Sequence, residues 1–380
     1  MTFSLTVDAT KFRGRLVSVM NQYAQAGADL VPVIKGNGYG FGRANLAREA
    51  SRLGASRIAI GTVWELEQAL IDFAGEVVVL EPFNANDQAA KELWQRILLH
   101  GAGRVIVTVS DLDLSGVASV GAKLIFLEGK TSLNRFGLTA SEISKVSNTN
   151  GLTVRGLALH LPISEPAKVI DATAEISKAV NSKKLSGRLL EIWNWIAAYQ
   201  DLVAKSRYHL HISLSHVSPS DLTELKLMCK NYGYDSTFDI RIGTKLWLGE
   251  SSSCKVQGSI LEIHELSDHQ RVGYRQVDGH GHKRLIVVSG GTAHGVALAA
   301  PNTSGSMRQR GIAIAEGVSQ ALGKVRSPFS YKGVNLLFAE PPHMQVSMLW
   351  SEDMSLKVGD QLICNVRSTT TNFDLVMGLD

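Results

Sequence analysis

The chain has 380 residues, of which 44% are hydrophobic and 19% are charged, and its formal net charge is +4 at pH 7. This composition excludes an intrinsically disordered chain, and the small charge without a basic run argues against a nucleic-acid partner. The length allows two domains, or one large domain with an appendage.

The N-terminus and the cysteines indicate the compartment. The first residues, MTFSLTVDATKF, have no apolar run with a cleavage site, and no later stretch reaches the ~18 apolar residues of a membrane span. Cys229, Cys254 and Cys364 are far apart, which fits neither a disulfide framework nor a zinc site. The sequence therefore predicts a cytoplasmic protein with reduced thiols and no membrane contact.

Short apolar runs alternate with longer amphipathic stretches between residue 10 and about residue 248. This alternation is typical of repeated β-α units around a parallel sheet. Eight runs predict strands, at residues 31–34, 58–60, 77–80, 105–109, 124–127, 157–160, 210–213 and 239–242. Outer helices are predicted where apolar residues recur at helical spacing, at residues 44–52, 64–73, 86–99 and 189–204. Together they predict an α/β fold, a closed TIM-type (β/α)8 barrel of roughly 250 residues.

The predicted barrel occupies residues 9–248. Within it, residues 165–188 are polar and exceed a usual βα loop of ~2 to 6 residues, which predicts an insertion with its own helix. After the barrel, further strands are predicted at residues 255–265, 284–288, 334–339, 345–350 and 361–367, and a loop at residues 302–306. Residues 249–380, with a strand in residues 1–8, are therefore predicted to form a mostly β C-terminal domain.

The stretch VIKGNGYG, residues 33–40, places Lys35 at the carboxyl end of the first predicted barrel strand. Active sites of such barrels are built at that end. A lysine that ends an apolar strand is partly desolvated, which lowers its pKa and suits Schiff-base chemistry. Taken alone, Lys35 also fits the alternative of a side chain that extends to water at the rim.

This stretch resembles the lysine motif of the alanine racemases, enzymes of fold type III that use pyridoxal 5'-phosphate (PLP). Further family motifs follow in the same order along nearly the whole chain. The resemblance implies that Lys35 holds PLP as a Schiff base and is one of two racemisation bases. It also implies that the Tyr39 hydroxyl contacts the cofactor phosphate. Phe41 stands where the family often has a histidine.

The stretch EGKTSLNRFG, residues 128–137, resembles the family segment whose arginine binds the substrate carboxylate and supports the catalytic tyrosine. Arg135 takes that role, since a planar guanidinium can hold a carboxylate through two hydrogen bonds. Seven residues earlier, many family members have a lysine that becomes carbamylated and anionic. Glu128 stands there and would supply the negative charge unmodified; a surface glutamate without a role is the alternative.

The stretch GLALH, ending at His160, resembles the strand whose histidine hydrogen-bonds the arginine on the cofactor side. That arginine corresponds to Arg241, which the resemblance places against the pyridine nitrogen. Because arginine keeps its proton, the pyridine nitrogen stays unprotonated and the ring is a weaker electron sink than in aspartate-paired PLP enzymes. This arrangement favours reprotonation at Cα over transamination.

The cofactor phosphate is predicted to bind at the ends of strands seven and eight. The amides of Gly243 and Thr244 would donate to it, with Ser215 nearby. His216 occupies one position where the donor serine could stand, so the choice of serine remains open.

The second base comes from the β domain. The stretch RVGY, ending at Tyr274, resembles the family's tyrosine segment and implies a base on the face of Cα opposite Lys35. A tyrosine has an unperturbed pKa of ~10, so it needs a positive neighbour such as Arg135 near neutral pH. In the family this tyrosine comes from the partner subunit, which implies a head-to-tail homodimer with shared active sites.

Three departures from the family pattern fall around the substrate. Thr292 replaces a tyrosine, Pro341 has no amide proton where a methionine amide would donate, and Phe373 lacks the hydroxyl that often reaches the phosphate. The substrate is therefore predicted as alanine or a related small amino acid. His280 and His282 in GHGH alternate on a hairpin loop and are assigned no carboxylate or cysteine partners, which is a weak signal, so no metal site is predicted.

Three other readings stay open. A PLP-dependent decarboxylase or D-amino-acid lyase of the same fold would need a cysteine proton donor or a His/Cys metal pair in the β domain. A PLP-binding protein with little catalysis would not need the ~130 residues that carry Tyr274. An unrelated barrel enzyme with a phosphate substrate would leave Lys35 without a cofactor.

Overall fold

A computed structural model describes residues 2–146, 149–165, 186–205, 209–298 and 324–380, together with positions 311, 314 and 317. Most of the predicted insertion at 165–188 and all of the predicted loop at 302–306 lie outside these residues. The chain divides into two compact units. We call Gly14–Gly36 with Arg43–Gly249 the barrel unit, and Met1–Arg13 with Asn37–Gly42 and Glu250–Asp380 the β unit.

Strands and helices alternate up to Gly249. In chain order they are β1 (Phe3–Val7), α1 (Ala9–Gln25), β2 (Asp29–Pro32), α2 (Arg43–Arg52), β3 (Arg57–Ile60), α3 (Leu66–Asp72), β4 (Glu76–Val79), α4 (Gln88–Gly101), β5 (Val105–Val109), α5 (Ser115–Ser119), β6 (Leu124–Gly129), α6 (Ala140–Ile143), β7 (Thr153–Leu159), α7 (Gly187–Lys205), β8 (Leu210–Ser215), α8 (Pro219–Asn231), β9 (Ser236–Ile242) and α9 (Thr244–Trp247). None of the helices in the described residues is long and apolar enough to cross a lipid bilayer.

The eight strands β2 to β9 form one parallel sheet, in the order β2-β9-β8-β7-β6-β5-β4-β3. A parallel bridge between Val33 and Ala59 joins its two edges, so the sheet closes into a barrel. Its interior is filled by small and branched side chains, as in a packed barrel core, namely Val31, Val33, Ala59, Val78, Ile106, Phe126 and Ala158. The predicted α/β barrel is therefore confirmed.

The β unit continues with β10 (Cys254–Glu265), β11 (Arg271–Val272), β12 (Val277–Asp278), β13 (Arg284–Ser289), β14 (Arg326–Tyr331), β15 (Val334–Phe338), β16 (Val346–Ser351), β17 (Gln361–Cys364) and β18 (Leu375–Met377). Six of these strands close in the antiparallel order β10-β13-β16-β15-β14-β17 and back to β10. Strand β1 pairs with β10, and β18 pairs with β1. Phe3 and Phe329 are fully buried in the core of this unit.

The β unit differs from the sequence expectations in its strands and in its bounds. Four strands were not predicted, namely β11, β12, β14 and β18. In β14, Pro328 removes an amide from the ladder, and a register shift between Arg326 and Ser330 accommodates it. Residues 9–13 and 37–42, expected in the barrel, belong to the β unit. The amide of Asn37 donates to the carbonyls of Ser368 at 3.0 Å and Thr371 at 2.6 Å, which ties this turn to the C-terminal part of the chain.

Candidate active site

Lys35 lies at the carboxyl-terminal rim of the barrel, three residues after β2. The strand end is fixed on both sides, since the Val33 amide donates to the Ile242 carbonyl at 2.8 Å and the Ile34 amide donates to the Ala59 carbonyl at 2.7 Å. The Trp247 indole donates to the Val33 carbonyl at 2.8 Å. The lysine side chain therefore starts from a rigid point, at the end of the barrel where the sequence predicted the site.

Glu65 supports the backbone around this lysine, and the sequence analysis missed it. Its carboxylate accepts hydrogen bonds from the Gly36 amide at 2.8 Å and the Gly61 amide at 2.7 Å. The Lys35 side chain is exposed, yet partial burial lowers the pKa of its amine, and the charges of Arg135 and Arg241 lower it further while Glu65 opposes them. Lys35 thus loses its proton more readily than an ordinary lysine, as a Schiff-base amine requires.

Arg135 lies on a loop whose two ends are hydrogen-bonded together at the end of β6. The Lys130 amide donates to the Leu138 carbonyl and the Leu138 amide donates to the Glu128 carbonyl, both at 2.8 Å. Gly137 has a φ of +116° and a Cβ there would lie 2.5 Å from the Gly129 carbonyl carbon, so this close return requires glycine. The loop thereby brings Arg135 back into electrostatic range of Glu128.

A second acidic residue, Glu191 of α7, holds the same loop. The buried Glu191 carboxylate accepts from the Ser132 hydroxyl at 2.7 Å. No motif marks this contact, because Glu191 lies 59 residues further along the chain. Its position among apolar residues, in the stretch LLEIW, indicated only an outer helix. Glu191 is thus a positioning residue for the segment that carries Arg135.

Glu128 is buried, with 3% of its surface exposed, and one of its carboxylate oxygens has no hydrogen-bond partner among the described residues. Burial raises the pKa of this carboxyl, and the positive charges of Arg241 and Arg135 oppose the rise. The surface-glutamate alternative is therefore wrong. Glu128 lies within electrostatic reach of both arginines, as the hypothesis of an anionic link requires.

Arg241, near the end of β9, is the most deeply placed cation of the site, with 6% of its surface exposed. One terminal nitrogen, Nη2, donates to the carbonyls of Leu159 at 2.9 Å and Ser213 at 3.3 Å. Burial lowers the pKa of the guanidinium, while Glu128 and Asp239 raise it. Its Nε has no acceptor among the described residues. A buried, unpaired donor is costly, so Nε fits a ligand acceptor such as a pyridine nitrogen.

His160 and Ser215 bond to each other, which differs from the expected His160–Arg241 hydrogen bond. Nδ1 of His160 lies 3.0 Å from Oγ of Ser215, and the Leu161 amide donates to the same Oγ at 3.2 Å. The arginine instead uses backbone carbonyls, because β7 and β8 present them beside β9. Burial, followed by the charge of Arg241, lowers the pKa of His160 to about 3, so the imidazole is neutral.

The predicted phosphate end of the site lies where β8 and β9 stop. Gly243 immediately precedes α9, which begins at Thr244, and the first amides of a helix have no acceptor within it. His216 follows Ser215 and has a φ of 57°. Burial lowers the pKa of His216, and the positive charge of Arg188 lowers it further. Arg188, which sequence analysis did not select, donates to the carbonyls of Pro162 and Ile163.

Tyr274 belongs to the β unit, at a tight turn between β11 and β12, and 86% of its surface is exposed. The Tyr274 and Arg275 amides donate to the two oxygens of Glu340 at 3.0 and 3.1 Å. Nε2 of His343 lies 2.6 Å from Glu340, and its ring packs on Tyr274 with centroids 4.4 Å apart. The backbone at Tyr274 is therefore held rigidly while its side chain faces outward.

These contacts give the departures from the family pattern a structural use. The segment that contains Pro341 supplies Glu340 and His343 to the Tyr274 turn. Phe373 stacks on Phe3 with centroids 5.5 Å apart.

Tyr39, also in the β unit, is buried in a turn where its φ is 55°.

Next to Thr292, His294 is buried and its Nε2 lies 3.2 Å from a carboxylate oxygen of Asp374. The other oxygen of Asp374 accepts from the Phe3 amide at 2.8 Å. The segment that contains Thr292 and His294 thus ties β1 to the C-terminal part of the β unit.

The fold and the barrel-rim residues define a class. A closed parallel barrel with a lysine at its carboxyl rim, followed by an antiparallel β unit, is the architecture of fold-type III proteins. The family model for the alanine racemase N-terminal domain matches residues 7–194. Residues 7–194 therefore belong to the alanine racemase N-terminal domain family.

Solved structures agree on the fold. An alanine racemase of Clostridium difficile 630 is 14% identical, with a TM-score of 0.64, covering 96% of this chain and 87% of that one. The biosynthetic alanine racemase of Pseudomonas aeruginosa is 16% identical, with a TM-score of 0.57, covering 97% and 91%. The alanine racemase of Bartonella henselae with covalently bound pyridoxal phosphate is 15% identical, with a TM-score of 0.59, covering 96% and 90%. No curated protein matches the chain by sequence.

Proposed function

We propose that this protein is a PLP-dependent amino-acid racemase that interconverts the L and D forms of alanine or a related small amino acid. The observation that carries the proposal is the buried Arg241, whose Nε lacks an acceptor among the described residues. The same rim carries Lys35, whose amine pKa is lowered and which lies within electrostatic range of Arg135. Glu128 and Arg135 both lie within electrostatic range of Arg241. A PLP-like ring would satisfy the unpaired donor.

The residues of the barrel rim fit this cofactor. Lys35 would hold its aldehyde carbon and Arg241 its pyridine nitrogen, while the Gly243 and Thr244 amides and Ser215 would hold its phosphate. Tyr39 is proposed as a further phosphate contact. When bound, PLP withdraws electrons from Cα of the amino acid and so makes its proton acidic.

The protein's own groups would then move the proton. The Lys35 amine would exchange it on one face of Cα and the Tyr274 phenol on the other, because inversion needs one base on each face. Arg135 would hold the substrate carboxylate through its planar guanidinium. His160 remains neutral at physiological pH, since its pKa is about 3, and would act as a fixed hydrogen-bonding group.

A homodimer with shared active sites is part of the proposal. Tyr274 is the most exposed large hydrophobic side chain among the described residues. It lies on a turn that Glu340 fixes through two backbone amides. A rigid, exposed aromatic residue is well suited to insertion into a second copy of the chain. We further propose that the enzyme works in the cytoplasm.

The test combines a spectrum with an isotope experiment. The purified protein is expected to show the visible band of a protein-bound Schiff base, which borohydride and Lys35→Ala both abolish. A panel of L-amino acids in deuterated water is expected to show deuterium at Cα together with chiral inversion. The absence of the band would overturn the PLP proposal. Exchange without inversion, or carbon dioxide release, would retain the cofactor and overturn the racemase activity.

A further inference from the structure

A cluster of metal-ligating residues lies in the β unit, on the two segments that lead into and out of the β11–β12 hairpin. It consists of Asp268, His269 and His280, each of which offers one potential ligand atom within 4.8 Å of the other two. We propose that these three residues bind a divalent transition-metal ion, with Zn²⁺ as the ion that best matches the ligand set. The site is independent of the proposed racemase activity.

The chemistry of the ligand set supports this assignment. Two imidazoles and one carboxylate, with a fourth position for water, are ligands that zinc takes in tetrahedral sites. Imidazole nitrogen also suits copper and nickel, whereas calcium and magnesium prefer oxygen ligands. Zn–N distances are about 2.0–2.1 Å, so two ligand atoms on one ion lie at most about 4.2 Å apart. All three side chains are exposed, and small rotations close the remaining gap.

Carboxylates already orient both imidazoles. Nδ1 of His269 lies 3.1 Å from Asp278, and Nδ1 of His280 lies 3.1 Å from Oδ1 of Asp268. A metal-binding histidine typically donates its second ring nitrogen to such an acceptor, which fixes the tautomer that presents the other nitrogen. His269 thereby keeps Nε2 for the ion. An ion would take the place of the proton between Nδ1 of His280 and Oδ1 of Asp268, because a carboxylate on that side of the ring cannot also reach an ion on Nε2.

The imidazole rings of His269 and His280 also stack face to face. Their centroids are 4.3 Å apart and their planes differ by 12°. Because a lone pair lies in the plane of its ring, the rings must tilt toward each other when an ion binds. The Asp278 carboxylate holds the local backbone at the same time, since its Oδ1 accepts from the His280 amide at 2.9 Å.

The fold supplies what the sequence lacked. The expectation of no metal site considered His280 and His282 alone and assigned them no carboxylate or cysteine partner, although Asp278 lies two residues before His280. His282 turns away: its ring stacks on Trp350 with centroids 4.5 Å apart, and its Nδ1 lies 3.4 Å from Glu352. The segment at 268–269 takes its place beside His280. This division makes His282 a matched control for the site.

A bound ion would link the segments on either side of the hairpin that carries Tyr274. At present a hydrogen bond from the Gly279 amide to the Gln270 carbonyl, 2.9 Å long, and the short β11–β12 pairing close this base. Coordination bonds from residues 268–269 and 280 would add a cross-link there. Backbone amides of the hairpin are therefore expected to exchange with solvent more slowly when zinc is present.

The experiment titrates zinc chloride into the full-length, tag-free protein and follows binding by calorimetry, with thermal unfolding as a second measurement. We expect one ion per chain in this site. His269→Ala and His280→Ala should each weaken binding by at least about 10-fold, and Asp278→Asn by about 10- to 100-fold. His282→Ala should bind as the parent does, and zinc should raise the Tm of both.

Three results would overturn the proposal. They are binding only at millimolar zinc, an equal loss of affinity in His282→Ala, and unchanged affinity when both His269 and His280 are replaced. Far-ultraviolet circular dichroism shows whether each variant folds. If an alanine variant does not fold, Asp278→Asn still tests the site, because it keeps the side-chain volume. Neither the titration nor the Tm shift requires PLP or racemase activity.

Discussion

Nδ1 of His160 lies 3.0 Å from Oγ of Ser215, and the Leu161 amide donates to that same oxygen at 3.2 Å. Because the Ser215 oxygen accepts from the Leu161 amide, its hydroxyl proton can be donated to Nδ1 of His160. The pKa of His160 is about 3, so the ring is neutral and carries one proton. We expect that proton on Nε2, which would make His160 a hydrogen-bond donor toward the site.

Nitrogen NMR of the labelled protein tests this tautomer. In the parent protein we expect the His160 Nδ1 resonance of an unprotonated, hydrogen-bonded nitrogen. In Ser215→Ala the two tautomers should mix, whereas Ser220→Ala, on the exposed side of α8, should leave the spectrum unchanged. A protonated Nδ1 in the parent would show that His160 donates to the serine and would reverse the assignment.

The depressed pKa of His160 predicts an acid-dependent loss of stability. A histidine whose pKa falls from 6.5 unfolded to about 3 folded contributes stability above pH 6.5 and loses it as the pH falls toward 3. Between pH 7 and pH 4 the parent should therefore lose roughly 3 kcal/mol more than His160→Gln. Urea unfolding of both proteins at the two pH values measures the difference, and equal losses would contradict the neutral buried histidine.

Glu128→Gln should separate stability from activity. Burial raises the pKa of Glu128, so its stabilising contribution is complete below the unfolded value of 4.5 and is lost as the pH rises through the folded pKa. Above that range the free energy of unfolding of the glutamine variant should exceed that of the parent by on the order of 1 kcal/mol, because the variant buries no charge. Racemisation should nevertheless fall, because Arg135 and Arg241 lose their anionic neighbour.

Unfolding free energies at pH 4 and pH 8, together with kcat on alanine, test both halves of the prediction for Glu128. Glu352→Gln, an exposed carboxylate of the β unit, is the control for a general charge effect. A variant that is less stable than the parent at pH 8 but not at pH 4 would show that ion pairing with the arginines outweighs burial.

Glu340→Gln should loosen the Tyr274 turn. The carboxylate accepts from both the Tyr274 and Arg275 amides, and glutamine has only one acceptor oxygen to offer. An unsatisfied amide costs about 1–3 kcal/mol, so hydrogen exchange at these two amides should accelerate by about 10-fold or more. Racemisation should fall as well, if Tyr274 is the second base.

A double-mutant cycle shows whether the loss of activity passes through Tyr274. Glu340→Gln should have little further effect in a Tyr274→Phe background. Unchanged amide exchange in Glu340→Gln would contradict the positioning role, whereas full activity of Tyr274→Phe would contradict the two-base proposal. His343→Ala is a milder variant, since it removes the ring contact with Tyr274 and leaves both hydrogen bonds from the backbone amides to Glu340.

Local sequence patterns were enough to predict the barrel and the region of its site. A short continuous apolar run indicates a parallel strand that is buried on both faces, and the amphipathic stretches between such runs indicate helices. Both signals are local in the sequence. A lysine at the end of such a run must lie at the carboxyl rim, where Lys35 is found. The spacing between Glu128 and Arg135 also carried local information, because a single loop returns the arginine to the strand end.

The pairing of polar groups depends on the three-dimensional fold. His160 bonds Ser215 and not Arg241, and Asp268 and His269 meet His280, although nothing in the local sequence links these positions. Such contacts join residues far apart in the chain, and each polar side chain has several chemically equivalent partners. The register of the closed sheets and the path of the loops select among them, and neither is encoded in the periodicity that defines the strands.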